Sequence, residues 1–377
     1  MGKMIIGIEA HHAEKEGAGN CTYIQNLIKN LALIDKKNKY ILYCKNKDFS
    51  FYKDIEKVNR NFRVVEIKVK NIFIRIPFFL GIRTYIDKVD IVHSLYYCPL
   101  VSRSKRVVTI HDIIPIIYPN LFNKFEVIKQ KWFLHLFAKK ADKIITISNS
   151  SREDISTYLK ISNNKISSIY IGVSDDFKEI SQDKKINILN KFGIKKPYIY
   201  YIGRLDPRKN LENAIKAFSR VSRENNYNLD FVIAGEKNKY FFNRLNNLVN
   251  EYNLEKNIKF IGYINNYDNI GLLNFAEFFI FPSFYEGFGL PVLEAMACGC
   301  PVITSKGSAL EEIARDCAIL VNPKSINDIE SAMFELLKNR NLKKELIKKG
   351  KEKVKEFSWQ ITARKTLEIY EHLVNKV

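Results

Sequence analysis

The chain has 377 residues, too many for one ordinary domain and enough for two. With 46% hydrophobic and 12% aromatic residues it can build real cores, and its sparse Gly (16) and Pro (10) exclude collagen-like and linker-rich chains. The net charge of +20 favours anionic partners, whether nucleic acid, phosphorylated small molecules or an acidic membrane face, without choosing among them.

In chain order, the first half alternates short apolar runs with helical patterns. Strands are expected at Met4–Glu9, Tyr40–Cys44, Phe62–Val69, Asp90–Ser94, Arg106–Asp112, Lys143–Ser148 and Lys165–Gly172. Several are continuous β-branched runs, as parallel strands buried on both faces require. Between them Ile24, Leu27, Ile28 and Leu31 recur at helical spacing, and Asn149 or Ser150 is the expected cap of another helix. The polar stretch 175–196, closed by Pro197, reads as an interdomain connection. The pattern then restarts. Strands are expected at Tyr198–Arg204, Asp230–Glu236, Ile258–Tyr263, Glu277–Ser283, Pro301–Ser305 and Ala318–Asn322, with helices at Leu211–Asn225, Tyr240–Tyr252 and Leu290–Cys298.

Two runs of β-α-β predict an α/β chain of two Rossmann-like, doubly wound domains facing a cleft, spanning 1–174 and 197–357. Trp359, Ile361, Leu367, Tyr370 and Leu373 supply anchors for a last helix, about 358–377, that crosses back to the first domain. The apolar start is only a strand long and no run approaches the ~18 residues of a spanning helix. The six cysteines are too scattered for a disulfide framework and read as buried thiols. A cytoplasmic protein is expected.

Four segments carry candidate chemistry. In Ser283-Phe-Tyr-Glu286-Gly287-Phe288-Gly289-Leu290, followed by Glu294, a buried strand gives way to a helix. Gly287 and Gly289 stand where backbone N–H groups bind phosphate, and the two carboxylates suit sugar hydroxyls. A glycine turn with one solvated and one capping Glu would look the same. Gly203-Arg204-Leu-Asp206-Pro-Arg208-Lys209-Asn210 follows another strand, and Arg204 and Lys209 suit a diphosphate, one as a fork and one as a point charge. A solvated basic loop is the plain alternative. His111, in Thr109-Ile-His-Asp112, would alone be a structural histidine. Gly17-Ala-Gly19 is half of a dinucleotide fingerprint.

Together these segments resemble the retaining nucleotide-sugar glycosyltransferases of the GT-B fold, family four, also called glycosyl transferases group 1. Their wording is closest to the mannosyltransferase-like branch. The resemblance implies that Arg204 and Lys209 bind the donor diphosphate and stabilise the leaving nucleotide, and that Glu294 holds the ribose. It implies that Glu286, with the amides from Gly287 to Leu290, holds the donor sugar. Gly203, Ser283 and Phe288 line the donor site, His111 stands by the reacting centre, and Gly17 and Gly19 let the first domain approach the phosphates. Asn20 and Cys21 depart from the larger residues expected beside that loop.

No Asp-x-Asp occurs, so no metal is expected at the diphosphate. The resemblance implies a nucleotide-sugar co-substrate, GDP-mannose before a UDP-hexose, and an acceptor that is a glycan or a lipid-linked molecule of surface polysaccharide synthesis. No recognition helix or RNA motif accompanies the charge, so nucleic acid is not an expected partner. An NAD-dependent oxidoreductase would leave the Glu286–Glu294 block unexplained. The alternative kept open is a non-transferring GT-B relative, either a sugar-nucleotide epimerase or a donor-binding partner subunit. Finally, Lys68–Arg83 and Lys124–Lys140 interleave cations with dense apolar runs. They suit either peripheral contact with the inner, anionic face of a membrane or core-facing helices with solvated lysines.

Overall fold

The computed structural model describes residues 2–14, 19–182, 184–224, 227–236 and 238–375. The chain divides into two compact units, Met1–Gly172 with Phe357–Val377, and Val173–Glu356. Each is a parallel sheet flanked by helices.

The first unit holds β1 (Ile5–Glu9), β2 (Lys39–Cys44), β3 (Phe62–Glu66), β4 (Ile91–Leu95), β5 (Lys105–Thr109), β6 (Lys143–Thr146) and β7 (Ile166–Ser168), in the order β3-β2-β1-β4-β5-β6-β7. The second holds β8 (Tyr198–Ile202), β9 (Asp230–Ala234), β10 (Ile258–Gly262), β11 (Phe278–Phe281), β12 (Val302–Ser305) and β13 (Ile319–Val321), in the order β10-β9-β8-β11-β12-β13. The β-branched runs are buried because helices cover both faces: Val108 and Ile144 pack with Phe137 and Ile155 in one core cluster. In each sheet the strand order reverses once, between β1 and β4 and between β8 and β11. At such a reversal the connections leave in opposite directions and open a crevice at the carboxyl ends of the strands.

Most expected strands are present but shorter at their carboxyl ends, because the chain peels away there into the loops that carry polar residues. The helix Gly19–Ile34 buries Ile24, Leu27, Ile28 and Leu31 as the spacing predicts. The helix Asn149–Leu159 is capped one residue earlier than expected: Ser148, in extended backbone, accepts the Ser151 N–H. The stretch 175–196 is not an open connection. It carries the helix Lys184–Lys191, whose Ile188 fits against Gly271 where any Cβ would collide, and Lys191 pairs with Asp268 at 2.7 Å.

The last helix, Trp359–Asn375, lies against Gly19–Ile34. It is fastened by polar bonds within the first unit. Thr362 donates to the Tyr170 carbonyl at 2.8 Å, and the Tyr370 hydroxyl meets His93 Nδ1 at 2.5 Å. All six cysteines are buried. No helix among the described residues is long and apolar enough to cross a membrane.

Candidate functional site

The loops that leave β8 and β11 flank the crevice of the second sheet, and they are the two segments with the densest chemistry. After Ile202 the backbone at Gly203 passes so close to the next strand end that a Cβ on Gly235 would overlap the Gly203 carbonyl. Asp206 then caps a short 3-10 turn, Pro207–Lys209, by accepting the Arg208 N–H. Asn210 takes a left-handed conformation and its amide donates to the carbonyls of Pro282 (3.0 Å) and Pro323 (2.6 Å). Phe284 N–H donates to the Arg208 carbonyl at 2.9 Å, so the two loops are hydrogen-bonded to each other.

The result is a buried cluster. Lys209 Nζ lies 2.6 Å from Glu286 Oε1, and Arg208 Nη1 lies 2.8 Å from Glu286 Oε2 while also donating to the Tyr285 carbonyl. The Lys209 ammonium sits 4.6 Å above the Phe281 ring. Burial by itself would raise the Glu286 carboxyl, but Lys209 and Arg208 outweigh it and hold it below its ordinary range. Burial lowers Lys209, helped by Arg208 and opposed by Glu286. The carboxylate therefore stays ionised and the ammonium is fixed in place, which is the arrangement that needs no reorganisation when negative charge develops nearby.

The other expected residues of the second unit are in different states. Gly289 has φ +107° and starts the helix Leu290–Ala297; a Cβ there would also press on Leu310. That turn lets the strand-to-helix loop close behind Gly287 and the buried Phe288. Ser283 is buried and its hydroxyl has no partner. Glu286 N–H reaches Ser308 Oγ at 3.4 Å. Glu294, one turn into the helix, is half-buried, and desolvation pushes its carboxyl up to about 7. Arg204 is not drawn into the cluster: its side chain is 68% exposed and meets Asp206 at 3.5 Å.

His111 belongs to the first unit, just past β5. It is buried between the rings of Tyr23 (4.7 Å) and Tyr96 (5.8 Å), and burial pulls it down to about 3. Its Nε2 has no hydrogen-bond partner. His93 in β4 is also pulled to about 3 by burial, yet both its nitrogens are engaged, by Tyr370 and by Thr109. The orphaned nitrogen marks His111 as the histidine with capacity left for a ligand. Gly19 opens the first helix with nothing within 4 Å of a Cβ placed there, and Gly17 lies outside the described residues.

Arg208 was missed as a site residue, although it stands inside the basic loop; the signal was Asp206-Pro, which turns the chain so that two consecutive cations point to one carboxylate. No group of three or more His, Cys, Asp or Glu that could hold a metal occurs among the described residues.

Two protein families match the chain in succession: the one described as Glycosyltransferase Family 4 over residues 21–177, and the one described as Glycosyl transferases group 1 over residues 182–353. The O-antigen chain mannosyltransferase B of Escherichia coli is 29% identical over 270 residues, 71% of each chain. The N-acetylgalactosamine-N,N'-diacetylbacillosaminyl-diphospho-undecaprenol 4-alpha-N-acetylgalactosaminyltransferase of Campylobacter jejuni is 30% identical over 65% of this chain and 64% of its own. Among solved structures, a glycosyltransferase from Rickettsia africae superposes with a TM-score of 0.77 over 100% of both chains at 19% identity, a likeness of fold.

Proposed function

This chain belongs to the family-four, group 1 glycosyltransferases, a retaining family with the GT-B fold, and on that premise we propose that it moves mannose from GDP-mannose onto a growing surface glycan. The observation that carries the reading is the buried Lys209–Glu286–Arg208 cluster at the strand-order reversal of the second sheet. The choice of mannose rests on the mannosyltransferase among the relatives. A UDP-linked sugar is the second donor, on the strength of the N-acetylgalactosaminyltransferase among them.

In this reading Lys209 faces the oxygen that leaves with the nucleotide. Stretching the glycosidic bond adds negative charge to that oxygen, and a cation already fixed by Glu286 and Phe281 lowers the barrier without reorganising. Exposed Arg204 closes on the diphosphate from solvent and acts mainly in binding. Glu286 has spare lone pairs beyond those taken by Lys209 and Arg208, and with the amides from Gly287 to Leu290 it orients the sugar hydroxyls. Glu294 takes the ribose hydroxyls, where its neutral form donates and its ionised form accepts. His111, in the first unit, is neutral and its unpartnered Nε2 keeps the capacity for one hydrogen bond to a ligand. The departing phosphate takes the acceptor's proton, so no protein base is required, and cations of the chain serve in place of a metal.

The test is a donor screen with the purified chain. GDP and GDP-mannose should raise its melting temperature more than UDP or UDP-hexoses, and mannose should appear in an α-linked product with chelator present. Protection by UDP-sugars alone would sink the choice of donor. Epimerised or hydrolysed donor, with no transfer to any acceptor, would support the non-transferring alternative instead. Activity abolished by chelation and restored by magnesium would overturn the metal-free site.

A further inference from the structure

The Nε2 of His111 is bonded to nothing, so that nitrogen does not orient its own ring. A histidine ring turns over a broad, roughly two-fold range about its last torsion, and it points one way only if neighbours wall it in. Two tyrosines form such walls. Tyr23 meets the His111 ring edge-on at 4.7 Å and 70°, and Tyr96 meets it at 5.8 Å and 73°. Both are tied to one residue, Thr109, the last of β5 and two positions before His111. The Tyr23 hydroxyl lies 3.0 Å from Thr109 Oγ1, and the Tyr96 N–H donates to the Thr109 carbonyl at 2.9 Å.

Thr109 is itself anchored. Its Oγ1 also meets His93 Nε2 at 2.7 Å, and His93 Nδ1 meets the Tyr370 hydroxyl. The chain Tyr370–His93–Thr109–Tyr23 thus runs from the last helix through β4 and β5 to the helix Gly19–Ile34, wholly inside the first unit. All four side chains are buried. Burial pulls His93 down to about 3 and pushes Tyr23 up to about 12, so the chain is built of neutral groups. Apolar residues would fill the same space; what a bonded polar chain adds is one defined geometry. Tyr96 carries a second sign. It stands just past β4, beside the strand-order reversal of the first sheet, at φ +63°. A bulky side chain avoids that left-handed region, and such strain persists only where the surroundings impose it.

We infer that Thr109 and Tyr23 are positioning residues of the transfer: the chain Tyr370–His93–Thr109–Tyr23 holds the tyrosine walls so that His111 Nε2 presents its hydrogen bond in one direction. The inference rests on the reading that His111 serves the transfer. Neither Thr109 nor Tyr23 has to touch substrate, because each acts through the ring of His111. A reacting group misplaced by ~1 Å loses on the order of 10²-fold in rate. Loosening a ring between walls that remain is a smaller displacement, and should cost ~10-fold in turnover and little in donor KM.

The test is steady-state kinetics on the full chain with Tyr23→Phe, Thr109→Val and Thr109→Ser. Tyr23→Phe keeps the ring and loses its bond, while Thr109→Val keeps the shape and loses both bonds of the hydroxyl. Each should lower kcat ~10-fold with donor KM within about 2-fold of the parent. Thr109→Ser, which restores a hydroxyl, should recover most of the parent kcat. Added to His111→Ala, the first two substitutions should lower kcat no further, since they act through a ring that is gone. With isotope-labelled histidine, the His111 ring signal in the NMR spectrum, assigned by its loss in His111→Ala, should shift or broaden in both variants. Tyr23→Phe decides alone if Thr109→Val does not fold. Unchanged kcat, an undiminished loss on the His111→Ala background, or an unmoved His111 signal would each overturn the inference. Parent turnover in His111→Ala itself would instead sink the reading of His111 on which the inference rests, and the inference with it.

Discussion

The two units follow one plan, yet they place opposite designs at the reversal of their strand order. In the second, both oxygens of Glu286 are capped by cations, at 2.6 and 2.8 Å, and the cluster is built from the two loops that flank the crevice. In the first, Glu9 at the end of β1 is also buried, beside Arg75 and His11. Its Oε1 meets His11 Nδ1 at 2.8 Å and Arg75 Nη2 at 3.2 Å, while Oε2 and Arg75 Nε have no partner. Burial would raise Glu9, but His11 and Arg75 hold it below its ordinary range. Arg75 is also bonded to the carbonyls of Val69 and Lys70, so it ties the helical segment that it begins back to the sheet. The lesson is that a buried ion cluster is not by itself a site. What distinguishes the second is a cation fixed beside a glycine turn and a helix start; the first fastens one element to another.

The largest expected effect tests that distinction from the first unit. Arg75→Met removes the guanidinium from the buried Glu9 carboxylate, leaving His11 beside it, and unfastens the π turn, which should cost ~3–5 kcal/mol in denaturant unfolding. Donor affinity, measured by calorimetry on the folded fraction, should stay close to the parent value. A collapse of donor affinity with unchanged stability would reverse the roles of the two clusters.

Lys209→Ala should show the complementary pattern. Turnover should fall by ~10²–10³ while donor KM rises only a few-fold. Arg204→Ala, at an exposed position, should instead act chiefly on KM and leave stability within ~0.5 kcal/mol. Steady-state kinetics with the true acceptor decides, and a Lys209 variant with intact kcat and a hundredfold higher KM would make that residue a ground-state anchor.

A smaller effect separates two of the buried histidines of the first unit, His93 and His111. Both have an ordinary value of 6.5 drawn down to about 3 by burial. The unfolded chain therefore binds protons that the folded chain refuses, and stability is lost as pH falls below 6.5. At pH 5 each should cost ~2 kcal/mol relative to neutral pH. His111→Phe removes one of these losses without breaking a ring hydrogen bond, so its acid stability curve should be shallower by about that amount. An unchanged curve would mean that His111 is protonated or paired in the folded protein.

An effect of opposite sign concerns Glu294, whose carboxyl rises from 4.5 to about 7 through desolvation. Here the folded chain keeps a proton that the unfolded chain releases, so stability falls as pH rises through that window. Glu294→Gln should be more stable than the parent at pH 8 by ~3 kcal/mol and similar to it at pH 4. Melting curves across pH that run parallel would show the carboxyl to be solvated.

Much of this molecule was legible in its sequence. Short, continuous β-branched runs such as Val107-Val108 and Ile144-Ile145 determined buried parallel strands, because a strand covered on both faces accepts apolar residues at successive positions and β-branching favours extended backbone. The alternation of strands with helices determined two doubly wound sheets, and the glycine spacing at Gly287 and Gly289 determined a strand-to-helix turn. These are local rules, carried by neighbours in the chain. Tertiary structure alone decided which charges meet. Glu286 lies 77 positions from Lys209, and only the adjacency of β8 and β11 brings their loops together to capture Arg208 as well and to leave Arg204 in solvent. It also decided which of His93 and His111 keeps an unused nitrogen, and that the stripe Phe125–Ile128–Trp132 faces outward while the opposite side of the same helix fills the core. Periodicity fixes the faces of a helix, but which face is covered depends on what packs against it.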